Sequence, residues 1–194
     1  MNPIRTFLFA WFCSVALSLS AQSDSLNATP SFSSAFEPGP VLPPLELNRQ
    51  KTYYSLSEAL QSPEQVYKLS LSDNELKTLP ADIGRLRNLQ VLNLSQNKLR
   101  TLPPEIAQLS NLQVLILNRN RLTTLPDTLK VLDNMEQMYI AYNRLDELPV
   151  WVGGLSHLRR LDITANQLTP YQIEKIRSRL PRCEVTHGQP EPRD

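Results

Sequence analysis

Histidine and cysteine, the side chains most used for acid-base, nucleophilic and metal chemistry, occur only twice each, as His157 and His187 and as Cys13 and Cys183. No histidine pair or cysteine cluster has metal-ligand spacing. Gly39, Gly84, Gly153, Gly154 and Gly188 are too scattered to form a phosphate-cradling loop. The serines of "SLS" and "NLS" have no base beside them. No catalytic residue, cofactor or metal is therefore expected, and the chain is not expected to be an enzyme. What remains is recognition chemistry. Ile116, Arg119, Gln137, Tyr139, Tyr142, Arg160 and Asp162 recur at related positions, and apolar and aromatic groups beside arginine are the composition of an interaction hot spot. A plainer reading is that Ile116 and Tyr139 fit a β surface, as β-branched and aromatic residues do, while the charges form a solvated face.

These residues are placed by a repeat. Asn74, Asn97, Asn120, Asn143 and Asn166 follow one another at steps of 23 residues, and so do Leu69, Leu92, Leu115, Met138 and Leu161. Leu71, Leu94, Leu117, Ile140 and Ile163 keep the step, as do Pro80, Pro103, Pro126 and Pro149. In "LNL" and "LIL" the alternation puts both leucines on one face and the middle residue on the other, as a short strand requires. The middle position reads Ser70, Asn93, Ile116, Tyr139, Asp162; two residues earlier stand Lys68, Val91, Val114, Gln137, Arg160; three later stand Asp73, Gln96, Arg119, Tyr142, Ala165. Each repeated asparagine offers a donor and an acceptor to turn groups that would otherwise be buried unpaired. The Leu-Pro pair ends the extended segment, the proline suits the first position of a helical turn, and Ile83, Ile106, Leu129 and Val152 point back into the core.

The pattern in "LQVLNLSQNKL" and "LPPEIAQL" resembles the leucine-rich repeat, in its 23-residue class, over residues 66–168. The resemblance implies an α/β solenoid with a parallel concave sheet and short convex helical turns, and a protein partner bound on the concave face. Extracellular eukaryotic members usually carry cysteine-rich caps, absent here, so a bacterial envelope or secreted protein is expected. A structural component of an envelope assembly, or a glycan-binding module using Tyr139 and Tyr142 as stacking platforms, stand as alternatives.

The repeats, at 66–170, need covers at both ends. Residues 50–65 form the N-terminal one, with Tyr53, Leu56 and Leu60 read in register with Leu76, Leu79 and Ile83, and Ser55 with Glu58 read as a capping box. Residues 171–187 form the other, a helix with Tyr171, Ile173, Ile176 and Leu180 on one face and a final short strand; 188–194 is a tail. At the start, Arg5 precedes the 13 apolar-rich residues "FLFAWFCSVALSL" and then "SAQSDS". That is a secretory signal layout, too short for a membrane span, with cleavage expected after Ala21 and a periplasmic, cell-surface or secreted destination. Removing 1–21 takes one cation, Arg5, leaving 19 basic against 19 acidic side chains, so nucleic acid is not expected as a partner. Residues 22–49, rich in Ser and Pro, read as a disordered or extended linker with a glycosylation pattern at Asn27. A second such pattern, at Asn93, is read as scaffold. Cys183 reads as a small apolar residue, without an internal disulfide partner.

Overall fold

The computed structural model describes residues 38–188. The expected signal segment, its cleavage point and Asn27 lie outside the described residues. Seven parallel strands form one sheet in chain order: β1 (Thr52–Tyr53), β2 (Lys68–Ser70), β3 (Val91–Asn93), β4 (Val114–Ile116), β5 (Gln137–Tyr139), β6 (Arg160–Asp162) and β7 (Glu184–Thr186). From β2 to β6 each residue faces the one 23 positions on, as Leu92 faces Leu115 and Leu115 faces Met138. The central strand residues, Leu69, Leu92, Leu115, Met138 and Leu161, are buried, while their neighbours on either side stay partly or fully accessible. Single 3-10 turns over Ala81–Arg85, Pro104–Gln108, Asp127–Val131 and Val150–Gly154 return along the convex side. They bury Ile83, Ile106, Leu129 and Val152 against the strand leucines. Pro80, Pro103, Pro126 and Pro149 stand just before these turns with ψ near 145° (143, 150, 142 and 147°), one place earlier than expected. The reason is hydrogen bonding: the proline carbonyl is the acceptor that closes each turn, as in Ile83 N–H to Pro80 O at 3.1 Å.

The asparagines form a ladder through the stack. Asn120 Oδ1 accepts from Leu99 N–H at 3.0 Å, and its Nδ2 donates to Leu94 O at 2.8 Å and Leu117 O at 3.0 Å. Asn143 repeats this one rung on, with Leu122 N–H, Leu117 O and Ile140 O. From Asn97 to Asn166 each carboxamide thus ties its own turn to the preceding one. The residue before each asparagine has a left-handed backbone: Asp73, Gln96, Arg119, Tyr142 and Ala165 have φ between 55 and 58°. That conformation turns the next residue inward, and it costs a residue with a Cβ about 1 to 2 kcal/mol.

The ends depart from expectation. β1 pairs Tyr53 with Leu69, an offset of 16 residues and not 23, so Tyr53 takes the strand place and not that of Leu76. The Ser55–Glu58 capping box does not form. The following helix, α2, has only four residues (Leu56–Ala59), Ser55 Oγ lies 2.8 Å from Ser57 Oγ, and Lys51 captures Glu58 at 2.6 Å. The stretch expected as linker is, over 38–49, seated on the repeats, and it includes a helix, α1 (Pro44–Arg49), with Leu47 buried. Four of residues 38–44 are prolines, which cannot join a strand ladder. Side-chain amides hold the segment instead. Gly39 N–H donates to Asn88 Oδ1 at 2.6 Å, Asn111 Nδ2 donates to Gly39 O at 2.7 Å, and Gln90 both accepts from Leu42 N–H and donates to Leu42 O. At the other end, α3 (Pro170–Arg179) carries a capping box between Thr169 and Gln172. Ile173 and Ile176 pack on the core and Leu180 is buried, but Tyr171, expected on the same face, is 75% exposed. One residue after Pro170, it sits where the helix starts and points off the stack.

Candidate recognition surface on the sheet

The strand flanks face the concave side because the pleat sends the leucines inward. Ile116 on β4 stands opposite Tyr139 on β5, and Tyr139 opposite Asp162 on β6. The structure therefore brings these three into one row across neighbouring strands. The Tyr139 hydroxyl donates to Gln137 Oε1 at 2.9 Å. Arg160 lies beside that hydroxyl and pairs with Glu184 on β7 at 3.2 Å; the tyrosine first and the carboxylate second hold its guanidinium further towards the charged form. Arg119 and Tyr142, one rung apart, make a separate pair, the guanidinium 4.8 Å from the ring centroid. Such a stack favours planar, pre-oriented arginine.

Asp162 has a second employment. Its Oδ1 accepts from Thr164 N–H at 3.0 Å, as Asn93 Oδ1 does from Ser95 N–H at 2.9 Å, so both side chains hold the turn that follows their strand. For Asn93 this agrees with its reading as scaffold. Two features escaped sequence reasoning. Glu184 joins the cluster only because β7 pairs with β6. The column after the ladder asparagine, with Lys98, Arg121 and Arg144, runs from rung to rung, each backbone N–H donating to the rung before it; stepping by 23 from Arg121 to Arg144 is the signal that reveals it. Among the described residues no group of three or more His, Cys, Asp or Glu is placed to hold a metal ion. Cys183 is half-buried, and burial, with Glu184 nearby, pushes its thiol up to about 11.

A parallel sheet of identical rungs, backed by 3-10 turns and joined by an asparagine ladder, defines a solenoid with one open, side-chain-variable face. The chain matches the family described as leucine-rich repeat region over residues 17–175 and belongs to that family. Among solved structures it is 36% identical to a leucine-rich-repeat protein of Leptospira interrogans, over 72% of this chain and 40% of that one, with a TM-score of 0.52. It is 22% identical to internalin C2 of Listeria monocytogenes, over 70% and 57% of the two chains, with a TM-score of 0.56. It is also 24% identical to the ectodomain of the receptor kinase SOBIR1 of Arabidopsis thaliana, over 63% and 68%, with a TM-score of 0.50. The last two likenesses concern the fold alone. The chain spans 40% and 57% of the lengths of the first two. No curated protein matches it. Among the described residues no helix is long and apolar enough to cross a membrane.

Proposed function

We propose that this chain is an exported, non-enzymatic binding module whose concave face over β4–β6 recognises a protein partner. One observation carries the reading. At the left-handed position of the repeat, where glycine or asparagine is the conformationally easy choice, the third and fourth repeats hold Arg119 and Tyr142, at φ 58 and 56°. Neither hydrogen-bonds through its side chain to the frame among the described residues; they stack on each other. Large side chains at a position the backbone does not favour for them point to use by a ligand. A glycan-stacking role is less well served, since Arg119 lies over one face of Tyr142 and the Tyr139 hydroxyl is engaged. Export rests on the apolar N-terminal stretch of the sequence.

The test is cross-linked capture in the native host. The double variant Arg119→Ala, Tyr139→Ala should fold and lose at least ~2 kcal/mol of binding, about 30-fold, the hot-spot scale. The convex pair Glu105→Ala, Lys130→Ala should bind as the parent does. Loss in the convex pair alone would move recognition to the other side, and tolerance of both pairs would favour a purely structural envelope role.

A further inference from the structure

The net charge of the chain is close to zero, yet its cations are not evenly spread. The residue after each ladder asparagine reads Glu75, Lys98, Arg121, Arg144 and Gln167, and two positions beyond Lys98 stands Arg100. Their direction is shown by Lys98, whose Nζ reaches across one rung to Glu75 at 2.8 Å. Beyond that pair Arg121 and Arg144 in this column, and Arg100 in the column two residues on, are exposed and take part in none of the ion pairs among the described residues; the second column also holds Asp146, two residues past Arg144. Their backbone positions are set by the stack, since Lys98, Arg121 and Arg144 N–H donate to Leu76, Leu99 and Leu122 O at 2.8 to 2.9 Å. The backbones of Lys98, Arg121 and Arg144 are therefore spaced by the strand separation, about 4.8 Å. Arg119, stacked on Tyr142, stands two residues before Arg121.

We propose that these arginines dock an acidic polypeptide segment of the partner, lying along the ladder with its carboxylates on Arg100, Arg121 and Arg144. The inference rests on the reading of the chain as a protein-binding module and adds the chemistry of what is bound. Arginines whose backbones are held one rung apart, as at Arg121 and Arg144, suit carboxylates, which guanidinium groups bind in a planar, two-pronged way. A nucleic acid or sulfated glycan fits less well. Polyanion binding driven by charge release needs a broad basic surface and a strongly basic domain, whereas this chain has a pI of about 7.8 and carries Asp146 in the column of Arg100, followed by Glu147.

The test uses the full chain and a labelled ten-residue glutamate-rich peptide, with a glutamine counterpart, heparin and single-stranded DNA as comparators, all read by fluorescence anisotropy. The glutamate peptide should bind, the glutamine peptide should not, and affinity should fall steeply with salt. Arg121→Glu with Arg144→Glu should weaken the glutamate peptide at least tenfold. Arg121→Gln with Arg144→Gln, which keeps the chain lengths, should weaken it by a smaller factor and covers the case in which charge reversal unfolds the protein. Lys130→Ala, on a convex turn, should leave it unchanged. Equal binding by the charge-reversed and parent chains, or tighter binding of heparin or DNA than of the glutamate peptide, overturns the proposal. Partner capture in the host separates the two readings. Loss with Tyr139→Ala but not with the Arg121 and Arg144 variants removes the acidic dock and leaves the concave site standing. Loss with the Arg121 and Arg144 variants alone does the reverse.

Discussion

Asn120 and Asn74 occupy the same column of the repeat, and the structure requires their replacement by alanine to differ in cost. Asn120 is 8% exposed and makes three hydrogen bonds to backbone groups. The two carbonyls it serves keep other partners, Leu94 O with Asn97 Nδ2 and Leu117 O with Asn143 Nδ2. Only Leu99 N–H loses its sole acceptor. Leaving one buried donor unmet costs about 1 to 3 kcal/mol, and weakening two carbonyls adds a fraction of an ordinary bond each, so Asn120→Ala should lose about 2 to 4 kcal/mol. Asn74 stands at the end of the ladder. β1 meets β2 at an offset of 16, so the cap presents no turn for its carboxamide, which is exposed and whose one bond from Nδ2 reaches Ser72 O at 3.0 Å. Asn74→Ala should therefore cost under ~1 kcal/mol. Urea unfolding followed by circular dichroism measures both, and the slope should stay constant if unfolding remains two-state. Equal costs for the two variants, or a loss below ~0.5 kcal/mol for Asn120→Ala, would refute the ladder as the element that ties the rungs.

Gln90→Ala should free residues 38–49, because Gln90 is fully buried and is the group that grips Leu42 through both N–H and C=O; the expected loss is about 1 to 3 kcal/mol, with faster proteolysis in that segment, while Asn134→Ala, exposed in the neighbouring column, should change proteolysis there little. Arg119→Gly should be more stable than Arg119→Ala by up to about 1 kcal/mol in thermal melts, since both lose the Tyr142 stack but only glycine escapes the left-handed penalty at φ 58°. Cys183, with its thiol at about 11, should alkylate at pH 8 at least ~10-fold more slowly than an unfolded cysteine peptide, as followed by mass spectrometry. Its raised pKa also has a sign in stability. The contribution is fully present below the unfolded value near 9 and is lost as pH rises towards about 11, because only the unfolded chain ionises in that window.

The repeat was legible because its period is imposed by covalent spacing. Leu92 and Leu115 had to be 23 apart to share a core, and the alternation around them had to expose Asn93 and Ile116. The seven surface residues were found for the same reason. Their grouping was less legible. Arg119 with Tyr142, and Tyr139 with Gln137 and Arg160, depend on side-chain directions, and Glu184 enters through a strand outside the 23-residue step. The segment 38–49 was misread because it has no apolar period. It is held through its backbone by buried amides of Asn88, Gln90 and Asn111, and the signal available was the twice-repeated Asn-Leu-Gln at 88–90 and 111–113.

Sequence by itself determined the rung: which leucines are buried, where the chain turns, and which positions remain variable, since each follows from the pleat and from the need to pair every buried turn group. Tertiary structure alone decided what happens where the period stops. At the ends there is no neighbouring rung to dictate register, so Tyr53 could slide to the place opposite Leu69 and Glu58 could turn to Lys51. The left-handed backbone at Arg119 and Tyr142 was likewise invisible, because glycine or asparagine would have announced it and neither is present. The stack enforces that conformation from outside: the N–H groups of Arg119 and Tyr142 must reach Ala141 O and Thr164 O on the next rung, and those bonds outweigh the preference of the residue itself.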